Sequence, residues 1–454
     1  MSQFIYGNKP ETVIRASARS RARRVNHVLL GSILKVVSTE GDWLEVDSLG
    51  KGDSGWVHKD DVRSTPILKT FFVDVGQGDG AIVESPEGIM LVDGGPNSNL
   101  FKFMKRRYRR ILRSGQQLEI KAMVVSHPDY DHYNGLTAIL KDSRFKVGTI
   151  YHNGIIRYDD DNLPSGTEFD LGKLRRKNVN GISRPVLTET FDTLSQAKTL
   201  VDGGHLAPAF RRFWQAALDA KQDGHLGKAK RITIRDENLP GYAQDDDDKL
   251  FVSVLGPLPT KMSGSVEYVA FPDAHDIADA DPRPSSSHTR NGHSIVLKLK
   301  FGQHTILLGG DLNIPAQQHL MEHYGSDNPF RVDVAKACHH GSSDFHVEFL
   351  KKILPQVNIF SSGDNKSFDH PMADAVGAVA RHTRGSHPLL FSTELARATS
   401  GSKTHYGLIN LRSNGDVLVM AQMKEQHKNK ADIWDSFTVP WPGKFAKEIK
   451  ESES

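Results

Sequence analysis

The residues with the clearest chemistry lie on one short turn. Ser126–His132 reads S-H-P-D-Y-D-H and places His127, Asp129, Asp131 and His132 within six consecutive positions. Imidazole and carboxylate at that density, just past the apolar stretch Ala122–Val125, suit one or two divalent cations. Gathered without a cation, the same groups would be costly, because carboxylates repel one another and lose hydration. Other strand ends repeat the theme: Asp93 after I-M-L-V, Asp311 after T-I-L-L-G-G, His339-His340 after V-A-K-A-C, and His370-Pro371 after the F-S-S-G-D-N segment. Each alone is an ordinary turn. Together they indicate a metal centre built from His and carboxylate.

Composition narrows the alternatives. The chain has 454 residues, 38% hydrophobic and 25% charged, with 21 histidines. Its one cysteine, Cys338, excludes a disulfide scaffold and a Cys-based zinc finger. A formal charge of +3 gives no global nucleic-acid signature, so any basic footprint is local. Lys102–Arg113 carries seven basic residues in about three helical turns. Such a run is usually a solvated helix face, and phosphate-backbone binding is the alternative, shared with Arg19–Arg24 and Lys173–Lys177. No run of eighteen apolar residues occurs and the N-terminus lacks a signal-peptide pattern. A cytoplasmic protein without a membrane partner is the expectation, which a lone cysteine fits.

The elements that must position these residues follow from the apolar pattern. Val28–Val37, Asp42–Ser48 and Gly55–Val62 alternate apolar and polar residues between Gly- and Asp-rich turns, the pattern of a small β-barrel over residues 1–65. From Ile67, apolar strands alternate with helical segments (Asn99–Ser114, Ala207–Ala220), so the fold class is α/β over residues 66–425. The stretch 146–281, with mixed charge runs, reads as an insertion. Tyr406–Met420 reads as a closing hairpin turning at Asn414-Gly415. Residues 426–454 read as a tail, with Trp434, Phe437 and Trp441 able to tuck back.

Several strings in order resemble the metallo-β-lactamase superfamily, whose signature is H-x-H-x-D-H followed by a later Asp and His. The resemblance is to the soluble hydrolase domain of the ComEC DNA-uptake proteins, in which the second His is Asp. The strings are F-x-D-V-G-Q-G-D (Phe72–Asp79), L-V-D-G-G (Leu91–Gly95), V-L-G-P (Val254–Pro257) and N-x-x-S-I-V-L (Asn291–Leu297). L-L-x-G-D (Leu307–Asp311), H-H-G-S (His339–Ser342), S-x-G-x-N-x-x-x-x-H-P (Ser361–Pro371) and G-x-I-x-x-x-x-x-G (Gly407–Gly415) complete the set. The N-terminal segment resembles a bacterial SH3-like domain, with Trp43, Gly55 and Trp56 at its most recognisable positions. Such a module binds a peptide or protein partner or packs on its own neighbour.

The resemblance implies an αββα sandwich behind a small all-β barrel. It places His127 and Asp129 at one metal position and Asp131 and His132 at the other, with Asp311 bridging and His370 completing the second. Asp131 and His340 are the candidate catalytic residues. Asn291, His293 and His339 are candidates for the remaining ligand, and Asp74, Asp79 and Asp93 for ligands or their supports. Lys336 and Ser342 are candidate phosphate contacts. Asp at 129 makes the site oxygen-rich, so the two divalent ions could be Zn²⁺, Mn²⁺ or Mg²⁺. Two ions about 3.5–4 Å apart can activate water and stabilise both the attacking and leaving oxygens of a phosphoryl displacement. The expected activity is therefore a phosphodiesterase or nuclease acting on nucleic acid or a nucleotide-type substrate. The alternatives are a hydrolase of an ester, thioester or lactam, and a non-catalytic SH3-linked sensor or binding protein.

Overall fold

Alternating apolar residues in the first sixty positions give short antiparallel strands, because side chains on successive residues face opposite sides. The structure, a computed structural model, describes residues 3–49, 53–167, 169–273, 276, 283–363, 368–385, 388–393, 408–423 and 434–439. Seven strands between Phe4 and Arg63 form one sheet around Ile5, Ile14, Leu34, Val46 and Val57. The Val28–Val37 string is not one strand. Arg24–Leu29 and Ile33–Glu40 are separated by a turn at Gly31, whose φ of +69° suits glycine.

From Leu68 onward two sheets pack face to face. The first has nine strands, in the order Leu226–Arg231, Phe145–His152, Leu118–Val124, Gly88–Val92, Ala81–Ser85, Leu68–Phe72, Ile409–Ser413, Leu418–Met423, Trp434–Val439. The second has six: Phe251–Gly256, Val296–Phe301, His304–Leu308, Val334–Lys336, Val357–Phe360, Leu389–Ser392. Period-two alternation divides each strand between two cores. Met90 and Val92 meet Val254, Leu297 and Leu308 between the sheets. Leu91 faces outward onto Leu100, Met104 and Leu136. Phe349, Ile353 and Leu320 cover the outer face of the second sheet through Leu307 and Ala335. Helix, sheet, sheet, helix is the layering.

Two sequence expectations change here. The stretch 146–281 is not simply an insertion: Phe145–His152 is an inner strand, Leu226–Arg231 is an edge strand, and Pro208–Gln222 sends Phe210, Phe213 and Trp214 into the core. Leu226–Arg231 reads L-G-K-A-K-R, too polar to stand out as a strand. What remains separate is a small sheet of Leu174–Val179, Ile182–Leu187 and Tyr268–Val269. Residues 426–454 are not all tail, because Trp434–Val439 pairs antiparallel with Leu418–Met423 and Phe437 packs on Phe391. Trp441 lies outside the described residues. The expected hairpin forms between Ile409–Ser413 and Leu418–Met423. Among the described residues no helix is long and apolar enough to cross a membrane.

Both sheets contain parallel runs whose carboxyl ends lie at the same edge of the sandwich. In such folds that edge is where ligands bind. The N-terminal all-β unit sits elsewhere. Leu30 packs on Ile67 and Val419, Arg412 donates to the Leu30 carbonyl (2.7 Å), and Asn414 donates to Asn8 (2.9 Å). Ile67 precedes the strand Leu68–Phe72, whose far end leads to Asp74 and Asp79. The all-β unit is therefore at the opposite end of the sheet from those carboxylates.

Candidate metal centre

Four loops at strand ends converge. After Leu118–Val124 the chain runs through Ser126 and His127 into a helical turn, Tyr130–Tyr133, that carries Asp131 and His132. Asp311 follows His304–Leu308 through Gly309-Gly310. His340 sits on the turn after Val334–Lys336, and Asp79 on the loop after Leu68–Phe72. Asp79, His132, Asp311 and His340, all buried, each bring one ligand atom within 4.8 Å of the others. Asp131 Oδ2 adds a fifth donor, 3.4 Å from His340 Nε2.

Close backbone packing builds this corner. Gly78 has φ of +132°, and a Cβ there would lie 2.2 Å from the Asp131 carbonyl oxygen, so the loop can approach only as glycine. His339 and His340 both take left-handed φ (49° and 56°), an uncommon conformation for non-glycine residues. Their turn is pinned by His339 N–H to the Gly310 carbonyl and Met372 N–H to the Gly341 carbonyl.

Hydrogen bonds fix which imidazole nitrogen faces inward. Asp93 accepts from Ser126 N (2.8 Å) and Ser126 Oγ (2.7 Å) and lies 2.9 Å from His132 Nδ1. His340 Nδ1 lies 2.9 Å from the Ser361 carbonyl, which can only accept. Both Nδ1 atoms must therefore carry hydrogen, and both Nε2 atoms turn inward. They close on Asp311 Oδ2 to 3.2 and 3.0 Å. Yet His132 Nε2, His340 Nε2, Asp79 Oδ1 and Asp311 Oδ1 are all buried without a hydrogen-bond partner. Buried polar atoms left unpaired in one place need an ion or water to satisfy them. The charges agree. Burial would keep His132 and His340 neutral, but Asp311 pulls both upward, aided by Asp93 and Asp79 respectively. Burial would likewise raise Asp311, yet His340, His132 and Lys336 hold it well below the carboxylate range. The carboxylates demand positive charge among them, and a divalent cation held by Asp79, Asp131, His132, Asp311 and His340 fits.

The other expected residues divide. Asp93 supports His132 rather than joining the cluster. Asp74 accepts from Gly76 N–H in its own turn. Asp79, read as a ligand or a support, is a member of the central four. His370 stands at the rim, with Nδ1 2.9 Å from Gln77 Nε2 and its ring 6.2 Å from that of His340. His293 is not in the site: it is stacked between Tyr268 and Phe271 and bonded to the Val269 carbonyl (2.7 Å). Lys336 is not an open phosphate contact either. Its ammonium is buried against Asp79 (2.5 Å) and the Gly310 carbonyl (3.0 Å). Ser342 accepts from Asp344 N–H.

His127 and Asp129 form a separate corner. The His127 ring packs on His132 at 4.0 Å, its Nδ1 faces the Ser126 and Ser294 hydroxyls, and its Nε2 lies 3.8 Å from Asp129 Oδ2. Asp129 Oδ1 takes Arg290 Nε (2.6 Å) and Arg157 Nη1 (3.1 Å). Burial would raise that carboxyl, but Arg290, His127 and Arg157 bring it down to about 2. Arg290 also contacts Asp170. His339 Nε2 lies 3.4 Å from the Asn291 amide. Sequence reasoning missed Arg157, Arg290 and Asp170; only the position of Arg290 beside Asn291 could have pointed to it. The basic run is remote: Arg107 pairs with Glu84, and Arg110 donates to the Leu49 carbonyl beside the all-β unit.

Comparison with known proteins gives the same fold. A family model described as the metallo-beta-lactamase superfamily matches residues 73–354, more than half of the chain. A search of curated proteins finds no match. Among solved structures, the chain is similar to CmlA, a diiron β-hydroxylase from Streptomyces venezuelae (13% identity, TM-score 0.33, 74% of this chain and 55% of that one). It is also similar to MEM-A1, a subclass B3 metallo-β-lactamase from a soil metagenome library (13%, 0.25, 72% and 78%). A third is a long-form RNase Z from yeast (9%, 0.31, 68% and 39%). The chain spans little more than half the length of the hydroxylase.

Proposed function

We propose that the chain, which belongs to the metallo-β-lactamase superfamily, is a divalent-metal-dependent phosphodiesterase. One observation carries this reading: the oxygen-rich donor set opens to solvent at Asp131, whose side chain is 30% exposed, and Asp129, two residues before it, holds the Arg157 guanidinium, 27% exposed. Bound metal would supply Lewis acidity and a more acidic water. Asp131, the most open donor, is placed to accept a proton from an attacking water. Arg157 is placed to receive a phosphoryl oxygen. Asp93 and the Ser361 carbonyl hold His132 and His340 in the orientation the donors need. Three carboxylates with two imidazoles suit Mn²⁺ and Mg²⁺ as well as Zn²⁺. The ordered motifs support a ComEC-like branch and a nucleic-acid or nucleotide-type substrate. The N-terminal unit, read as SH3-like, has its seam on the sandwich far from the site, which supports a packing role; a peptide partner would use its remaining face. The lone cysteine supports a cytoplasmic location.

A second reading, hydrolysis of an ester or thioester, has its own support. A small, mostly apolar cavity beside the Cys338–Ser342 turn is lined by Phe345, Phe349, Leu350 and Val379 and would suit the end of an acyl group. The deciding experiment offers Mn²⁺, Mg²⁺ or Zn²⁺ with bis-p-nitrophenyl phosphate, single- and double-stranded DNA, and p-nitrophenyl esters. Phosphodiester cleavage lost in Asp131→Ala supports the first reading. Ester cleavage alone, or equal phosphodiester cleavage by Asp131→Ala, overturns it.

A further inference from the structure

We propose that the Asp129 corner is closed to metal by arginine, so that the chain holds one tightly bound divalent ion, on the Asp311 side, rather than the two that the motif order implies. The inference concerns occupancy and stands whether or not the substrate is a phosphodiester.

Charge separates the corners. Around Asp311, four carboxylates (Asp79, Asp93, Asp131, Asp311) face one ammonium, that of Lys336. That surplus of negative charge is what a divalent ion offsets. Around Asp129, two carboxylates (Asp129, Asp170) face two guanidiniums (Arg157, Arg290). The Arg290 side chain is 8% exposed and Asp170 6%, so this chain of ion pairs is internal and already neutral. Both oxygens of Asp129 are also occupied. Oδ1 takes the two arginines. Oδ2 is met by Asn291, whose amide, turned with nitrogen toward the acceptors, donates to it at 2.8 Å and to the Ser287 carbonyl at 3.2 Å. An ion there would have His127 and one shared oxygen, and would face a like charge. At about 4 Å and an effective dielectric near 20, one guanidinium opposes a divalent ion by a factor on the order of a million in binding, before the paired carboxylates offset part of it. All four members of the Asp311 cluster carry a buried atom without a hydrogen-bond partner, whereas at the Asp129 corner only Asp170 Oδ1 does.

The test counts metal rather than turnover. Full-length protein is loaded with Mn²⁺, dialysed, and measured by elemental analysis and electron paramagnetic resonance. One Mn per chain with an isolated six-line spectrum is expected; two per chain, or the exchange-coupled spectrum of a pair, overturns the proposal. In calorimetric titration, Asp129→Asn should keep the ion within about threefold of wild-type affinity, whereas Asp311→Asn should lose at least a hundredfold. Loss of the ion in folded Asp129→Asn also overturns it. Arg290→Met, checked for folding by its thermal melt, should gain a second, weaker equivalent. If that variant does not fold, Arg157→Ala serves instead, and a folded variant that admits no second ion removes arginine as the excluding group.

Discussion

The first sheet carries buried charge at both of its ends, and the two ends differ. At the end near the N-terminal unit, Glu84 accepts from Arg107 Nε (2.5 Å), Arg107 Nη2 (2.7 Å) and the Tyr108 hydroxyl (2.6 Å), with Lys69 at 3.8 Å. Arg412 in turn donates to the Leu30 carbonyl and the Ser32 hydroxyl. At the other end, Asp79, His132, Asp311 and His340 are more deeply buried, yet each presents an atom without a hydrogen-bond partner. Burial and shifted ionisation therefore do not by themselves mark a functional site, since structural ion networks show both. Unmet bonding capacity distinguishes the two. The Glu84 network is complete without a ligand; the Asp311 cluster is not.

The largest effect that would break this comparison is at Asp311. Asp311→Ala should abolish metal retention and lower phosphodiester turnover by about a thousandfold or more, read by elemental analysis and bis-p-nitrophenyl phosphate hydrolysis. Asp93→Asn should follow. It removes the carboxylate that orients His132, so metal affinity should fall about 10- to 100-fold while the thermal melt of the metal-free protein changes less. Glu84→Gln reverses the pattern: metal content should stay at wild type while stability falls by about 3 kcal/mol in denaturant titration, because buried cations lose their partner. Acid should act on the same network. Burial would raise the Glu84 carboxyl, but Arg107 and Lys69 hold it at about 2, against 4.5 when unfolded. The stability it contributes is present above pH 4.5 and is lost as pH falls from there toward 2, measurable as a falling midpoint of unfolding. The smallest effect is at the rim. Arg157→Ala should raise KM for a phosphodiester about tenfold, with the tightly bound ion at Asp311 retained and the melting temperature unchanged.

The legibility of the site in the sequence followed the range of its contacts. His127–His132 is a local cluster, and the strand ends carrying Asp311 and His340 stand out because apolar runs precede them. Asp79 was harder, since G-Q-G-D is also what a plain turn looks like; its role appears only when Lys336 and His340 close on it. His293 shows the reverse error. It sits two residues from Asn291, but its ring turns into the aromatic core, and nothing in the string N-G-H-S records that. The arginines were invisible for a simpler reason: Arg290 meets Asp129 across 161 residues. The edge strand Leu226–Arg231 was lost because strands at a sheet edge need little apolar surface.

The donors span most of the chain, from Asp79 to His340. The last of them in chain order, His340, follows the strands that lead to Asp79, His132 and Asp311. No earlier fragment carries the full ligand set. Contacts of such long sequence separation form late and slowly. The full donor set therefore comes together only when strands of both sheets have formed.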